Sequence, residues 1–494
     1  MKYRIEHDLL GKKEVPIDAY YGIHTLRAFE NFHISGQKIH RELIISLAMV
    51  KKAAAIANVK IGLLDEKKAK AIILACDEII SGKYHDQFIV DALQGGAGTS
   101  SNMNANEVIA NRAIELLGGS KGDYSIVHPL EHVNLSQSTN DVFPTAVRIA
   151  AIRLLKPLSE DLAELQSVLQ EKEEEFSDVC KMGRTELQDA LPVMLGQEFG
   201  AYAQAVARDR WRIYKVEERL RQVNIGGTAV GTGVNAELKY IFSVIEILRE
   251  ITGLGLARAE YMMDPTQNND VFVEVSGLLK AAATNLIKIS NDIRLMSSGP
   301  KCGLMEINIP EVQAGSSIMP GKVNPVIPEA VKQAAFQVIA CDHAITLCAQ
   351  AGEFELNFTL PQIAYNLFMQ IDLLRNAIRI FIDKCIKGIT ANKDYLRETV
   401  EKSYSYATAL VPYLGYEKAT EIAKMAKEKR KTIREVVIET GLFTEEELDI
   451  IFNPYEMTKP GIPGKRKLKG ENNYEHDSNF FQAPHSYFWQ KKCR

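Results

Sequence analysis

The sequence predicts a mainly α-helical fold organised around a bundle of long helices. Two observations carry this expectation. Apolar residues recur every three or four positions over four turns or more, and prolines stand where such runs would begin. The 494 residues, 46% of them hydrophobic, are enough for two or three domains and a large core.

Taken in order, residues 1–140 read as a mixed, mainly helical domain with short extended stretches near its start. Within it, Asp65-Glu-Lys-Lys opens an amphipathic helix that stops near Ser81-Gly82. Residues 141–392 differ in kind and read as a long-helix bundle. Phe272, Val275, Leu279, Ala282, Leu286, Ile289 and Ile293 step by three and four, as do Ala364, Leu367, Ile371, Leu374, Ile378 and Phe381. Val331, Ala335, Val338 and Ile345 give a shorter run. Stripes of this kind pack nearly parallel helices. Pro144, Pro192, Pro328 and Pro361 mark expected helix starts, and Pro157 is expected to kink or interrupt the helix after Pro144. Residues 393–463 form a small helical domain, with helices from Tyr416 to about Lys427, Ile433 to Gly441 and Glu445 to Ile451. From Gly464 to Arg494 the chain turns polar and irregular, with aromatics at Phe480, Phe481, Tyr487, Phe488 and Trp489. Long helices with apolar character on several faces must find partners, so an oligomer is expected.

Composition excludes several classes. The formal net charge is −4 and no basic run dominates, so neither nucleic acid nor an anionic membrane is an expected partner. The first residues lack the apolar core of a secretory signal, and no stretch approaches the roughly 20 apolar residues of a membrane helix. The seven cysteines show no Cys-x-x-Cys spacing, which fits free thiols in a reducing cytosol and a cytoplasmic protein. No zinc-ligand pattern is present, and no metal site is expected.

The chemistry concentrates in one loop. Residues 315–325 read Gly-Ser-Ser-Ile-Met-Pro-Gly-Lys-Val-Asn-Pro, setting Ser316, Ser317, Lys322 and Asn324 around two glycines. Glycine and proline disfavour a helix here, leaving a mobile loop with donors and a cation suited to an anion. A flexible polar turn is the plain alternative. Four further segments gather small polar residues. Gly95-Gly-Ala-Gly-Thr99-Ser100-Ser101-Asn102 runs into a helix, whose free N–H groups form a natural carboxylate cradle. Ser136-Gln-Ser138-Thr139-Asn140-Asp141 precedes the helix holding Pro144. Gly183-Arg-Thr185-Glu186-Leu-Gln188-Asp189 leads toward Pro192. Ordinary helix capping would account for one hydroxyl in each. The fourth, Gly226 to Asn235, lacks the context of a nucleotide loop and reads as structural.

The 315–325 loop resembles the signature of the aspartase/fumarase superfamily, lyases that break a C–N or C–O bond to release fumarate. The resemblance runs from Glu6-His7-Asp8 to Met457-Thr458-Lys459-Pro460-Gly461-Ile462. It implies three domains and a homotetramer with a core of about twenty helices, each active site drawing on three subunits. It also implies that Ser316 is the general base beside Lys322. Thr99, Ser138, Thr139, Thr185, Lys322 and Asn324 would then hold the substrate carboxylates, with Ser317 a further substrate-binding residue. The proton to be removed sits on a very weak carbon acid, so stabilising the resulting dianion is the main task. A serine hydroxyl can serve only against N–H groups and a cation, with water excluded. Members usually end soon after the Met457–Ile462 element, so the stretch from Gly464 is a departure.

Within the superfamily, several segments resemble the ammonia-lyase side rather than the hydratase side. These are Tyr20-Tyr21-Gly-Ile-His24-Thr25-Leu26-Arg27, Gln313-Ala314, Gly303-Leu-Met-Glu306 and Asn324-Pro-Val-Ile-Pro-Glu329. Arg27 could add a cation near a carboxylate, or be a surface arginine. Glu186 is a departure, since members carry histidine or glutamine there, and Ser101 is a milder one. Glu186 and Glu329 together would place two carboxylates near a leaving ammonium and could share a proton. A structural cap or salt bridge is the alternative for Glu186. The implied reaction is reversible conversion of L-aspartate to fumarate and ammonia with no organic cofactor, magnesium activation remaining open. The rivals are a fumarate hydratase, a sister lyase of succinyl-linked substrates, and a non-catalytic protein of the same fold.

Overall fold

The computed structural model describes residues 2–470, so the aromatic stretch beyond lies outside the described residues. Helix accounts for 62% of the protein, as expected for a mainly α fold. The elements before the first long helix are β1 (Tyr3–Asp8), β2 (Gly11–Pro16), α1 (Ile23–Asn31), α2 (Arg41–Lys60), α3 (Glu66–Ile80) and α4 (Thr99–Leu116). Then follow α5 (Thr139–Glu175), β3 (Cys180–Thr185), β4 (Gln188–Met194), α6 (Leu195–Leu220), α7 (Leu238–Thr252) and α8 (Met263–Gln267). Three more helices complete the set used below: α9 (Asp270–Met296), α10 (Val326–Ala349) and α11 (Leu360–Lys384).

The chain divides into two compact units. Among the described residues, the first comprises 2–168, Ala203–Arg294 and Pro310–Gly388, and the second Leu169–Tyr202, Leu295–Ile309 and 389–470. In the first unit, every residue of the stripes on α9, α10 and α11 read from the sequence is buried. The cap on α3 forms as expected, with the Asp65 carboxylate accepting from the N–H groups of Lys67 and Lys68. Apolar side chains remain exposed on other helix faces, among them Trp211 and Tyr214 on α6, Phe242 on α7 and Phe336 on α10.

Of the five prolines that carried expectations, Pro328 and Pro361 meet theirs, Pro144 and Pro157 both lie inside one helix, and Pro192 departs. Pro328 and Pro361 sit in the first turns of α10 and α11. Pro144 lies in the second turn of α5, and Pro157 stands inside that helix without interrupting it over 37 residues. A mid-helix proline costs about 3 kcal/mol. Leu154, Leu155, Leu158, Leu162 and Leu165 are all buried around it, each contributing about 1.5–3 kcal/mol, so packing outweighs the lost hydrogen bond. Pro192 starts no helix. It lies in β4 opposite Met182, in a two-stranded hairpin whose strands both have an open edge that tolerates a missing N–H.

In the second unit, short helices at Tyr416–Lys429, Ile433–Thr440 and Glu445–Ile451 match the expected positions. They enclose a small core containing Leu410, Ile422, Val436 and Leu448, against which Met182 of β3 packs.

Candidate functional site

The 315–325 loop closes on itself at its neck. Gly315 N–H donates to the Lys322 carbonyl at 2.7 Å, and Asn324 Nδ2 donates to the Gly315 carbonyl at 2.7 Å. A Cβ on Gly315 would lie 2.6 Å from Lys322 O and 2.8 Å from Asn324 N, so only glycine fits the neck. Within the loop, Ser316 Oγ accepts the N–H of Ile318 at 3.2 Å and of Met319 at 2.9 Å. A serine turn makes the same two bonds for structural reasons. They also leave the hydroxyl oxygen facing two donors, the arrangement that favours an oxyanion. Ser317 and Lys322 are exposed, and Ser316 is half-buried. One Asn324 amide hydrogen is spent on the neck and the second is left for another acceptor. Glu329, in the first turn of α10, has its Oε1 at 3.4 Å from Arg294 Nη2.

A second corner joins the starts of α4 and α5. Gly98 takes φ +95° before Thr99, and a Cβ there would lie 2.5 Å from the Phe143 ring of α5. The two helix N-termini therefore pack together, concentrating free N–H groups and partial positive charge. Thr99 Oγ1 donates to the Gly96 carbonyl at 2.7 Å and must rotate to serve an anion. Ser138 Oγ accepts the Asn140 N–H at 3.2 Å, and Thr139 Oγ1 accepts from Asn102 Nδ2 at 3.1 Å. Both hydroxyls accept from the protein, which leaves their hydrogens for a group outside.

Behind this corner lie charges that sequence reasoning missed. Asp141 is fully buried. Its Oδ1 accepts Ser138 N–H, while Oδ2 accepts those of Gly226 and Thr228, so the Gly226–Asn235 segment does serve structure. Lys51 of α2 is equally buried, with Nζ on Asn134 Oδ1 at 2.7 Å and Gln137 Oε1 at 3.0 Å. Burial pushes Asp141 up to about 7 and pulls Lys51 down to about 7, each opposed by the charge of the other. The available signal was Asn102, Asn104 and Asn106, a spacing of poor helix formers that would have to be doing something else inside α4.

Thr185 and Glu186 belong to the second unit and lie on a β-hairpin, where the sequence had suggested the approach to a helix. Glu186 (φ +54°) and Leu187 (φ +62°) form the two-residue tip between β3 and β4. A turn with both central residues at positive φ normally takes Asn-Gly, so this tip is strained, and it is exposed. The strand delivering it is anchored by buried Glu306. Its Oε1 accepts from Arg184 Nη1 at 2.6 Å, and its Oε2 lies 2.8 Å from Lys181 Nζ in a charge contact without hydrogen-bond alignment.

The Arg27 guanidinium is committed to Asp8, with Nε on Oδ2 at 2.8 Å and Nη2 on Oδ1 at 3.0 Å. A cavity of about 480 Å³ in the first unit, lined by His40, Phe143, Tyr365 and Asp372 among others, holds none of the candidate residues. The candidates lie on the Ser316 loop and the Thr99–Ser138–Thr139 corner of the first unit and on the Thr185–Glu186 tip of the second. No helix among the described residues is long and apolar enough to cross a membrane. All six described cysteines are free.

A long-helix fold with a Ser-Ser, Lys, Asn loop and paired helix starts defines a lyase of the fumarate-releasing type. The chain belongs to the lyase family whose model matches residues 11–340, and residues 407–459 match the fumarase C C-terminal model. It is 53% identical to the aspartate ammonia-lyase of Bacillus subtilis (strain 168) over 468 residues, covering 95% of this chain and 98% of that one. It is 47% identical to the aspartate ammonia-lyase of Escherichia coli (strain K12) over 466 residues, 94% of this chain and 98% of that one. Among solved structures, the cobalt-bound fumarate lyase:delta crystallin of Brucella melitensis superposes with a TM-score of 0.91 at 48% identity, covering 93% of this chain and all of that one. The class II fumarase of Schistosoma mansoni superposes with 0.89 at 36% identity over the same shares.

Proposed function

We propose that the chain catalyses the reversible conversion of L-aspartate to fumarate and ammonia. One observation carries the reading. The Ser316 oxygen rests on two backbone N–H groups in a loop bearing Lys322 and Asn324, in a chain about half identical over nearly its whole length to aspartate ammonia-lyases. The Ser316 oxygen, ionised beside Lys322, takes a proton from the carbon next to the side-chain carboxylate. The electron pair moves into that carboxylate, giving a dianion held by Thr99, Ser138, Thr139, Thr185, Ser317 and Asn324. Its return forms the double bond and expels ammonia from the neighbouring carbon, anti to the lost proton. Glu186 and Glu329 add carboxylates that attract the ammonium.

The three groups of candidates complete one site when copies of the chain assemble, and the occupants we assign to the exposed aromatic faces of α6, α7 and α10 are the other subunits of a homotetramer. The reaction needs no organic cofactor, magnesium acting at most as an activator, and we assign the enzyme to the cytoplasm. The alternative is a class II fumarase, favoured by the likeness to the Schistosoma mansoni enzyme, though at the lower identity of 36%. Ultraviolet absorbance of fumarate, followed with purified protein and either L-aspartate or L-malate, decides between them. Turnover of L-malate alone would refute the ammonia-lyase reading.

A further inference from the structure

A chain of forced choices runs from a buried cation to the Thr139 hydroxyl. Lys51 in its charged form has only hydrogens to offer, so the Asn134 atom 2.7 Å away is its oxygen, Oδ1. Asn134 Nδ2 confirms this orientation by donating to the Gln137 carbonyl at 3.1 Å. Facing that oxygen, Asn102 must present its Nδ2, which donates to Asn134 Oδ1 at 3.2 Å, and Asn106 does the same at 3.1 Å. The same Asn102 Nδ2 gives its other hydrogen to Thr139 Oγ1 at 3.1 Å. Thr139 is thereby fixed as an acceptor toward the interior, and its single hydrogen is left for a group outside.

This order carries a penalty. Oδ1 of Asn102 and Oδ1 of Asn106 are both buried without a partner. Turning the Asn102 amide over would let its oxygen accept the Thr139 hydrogen. The turned oxygen would then face Asn134 Oδ1, which Lys51 holds in place. The structure keeps the orphaned oxygens and thereby keeps the threonine hydrogen free.

We propose that Asn102, oriented by Lys51 through Asn134, is a positioning residue that aims the Thr139 O–H at the substrate carboxylate. The inference rests on the reading of Thr139 as a carboxylate ligand, and it assigns to three residues outside that set the task of setting hydrogen-bond polarity.

The test uses the full-length enzyme with Asn102→Ala, Thr139→Ala and the double variant. KM and kcat for L-aspartate and the inhibition constant of succinate, an inert dicarboxylate, are measured for each. Each single change is expected to raise KM and the succinate constant about 10- to 100-fold, the worth of one hydrogen bond to a charged group, with a smaller fall in kcat. The double variant is expected to be no worse than the poorer single one, because both remove the same bond. An unchanged succinate constant in Asn102→Ala, or losses that multiply in the double variant, would overturn the proposal. Should Asn102→Ala fail to fold, Asn102→Asp keeps the volume and offers only an acceptor to Thr139, and the same criteria apply to it. If Thr139→Ala alone leaves the succinate constant unchanged, the carboxylate-ligand reading fails first and the proposal falls with it, an outcome distinct from failure at Asn102.

Discussion

The backbone N–H of Met319 donates to Ser316 Oγ at 2.9 Å, and that of Ile318 joins it at 3.2 Å. An alcohol is a poor base because its anion is costly, and hydrogen bonds to the charged form are what lower that cost. The donors are backbone groups of the same tight loop, so they travel with the serine when the loop moves. On the proposed mechanism, closing such a loop over a bound dicarboxylate would serve to exclude water.

That loop depends on a glycine at its neck. Gly315→Ala would push a methyl group against Lys322 O and Asn324 N, at 2.6 and 2.8 Å. We expect kcat/KM to fall at least about 100-fold, a displacement of the order of 1 Å being enough for this. The loop is exposed, so the melting temperature should change little. Calorimetry beside the fumarate assay checks both, and a fully active Gly315→Ala enzyme would show that the neck does not matter.

Glu186 predicts an asymmetry between substrates. In the reverse reaction, Glu186→Gln should raise KM for ammonium about tenfold, as expected when a charge-assisted contact is lost, and leave KM for fumarate nearly unchanged. Initial rates at varied ammonium test this, and an equal rise in both constants would remove Glu186 from the leaving-group side.

The tip itself stores strain. Leu187→Gly replaces a residue at φ +62° by one with no penalty there. Folding stability should rise by up to about 1 kcal/mol despite the lost side chain, which is 69% exposed. Urea unfolding reads the change, and a loss of stability would mean that Leu187 makes contacts worth more than the strain.

Acid should weaken the fold in a defined window. The Arg27 guanidinium beside Asp8 holds its carboxyl below the ordinary 3.8, and Arg112 holds Glu78 below the ordinary 4.5. A carboxyl depressed by folding adds stability above its unfolded value, and that stability drains as pH falls through the folded value. The share of the urea midpoint that these two pairs supply should therefore be complete above about pH 5 and drain below about pH 4. A midpoint constant down to pH 3 would contradict these pairings.

Much of this was readable in advance, for identifiable reasons. The stripes on α9 and α11 are long enough for period alone to give their buried faces. The Asp65 cap and the three short helices of the second unit carry local signals. The β3–β4 hairpin was missed because its tip is Glu-Leu where Asn-Gly would announce a turn. Pro192 misled for the same reason. Lys51 and Asp141 were invisible as site residues because charged side chains are exposed by default, and the groups that shelter them come from distant segments. The pairing of Arg27 was not readable because its partner, Asp8, is 19 residues earlier, on β1.

The central claim is that the Ser316 oxygen removes the proton. The most direct measurement is fumarate formation from L-aspartate by Ser316→Ala, with the mass of the assembled oligomer determined on the same sample. Turnover should fall at least about 10²- to 10⁴-fold, the usual contribution of a positioned base, with the mass in solution the same as that of the wild type. An intact oligomer that still releases fumarate at the wild-type rate would contradict it.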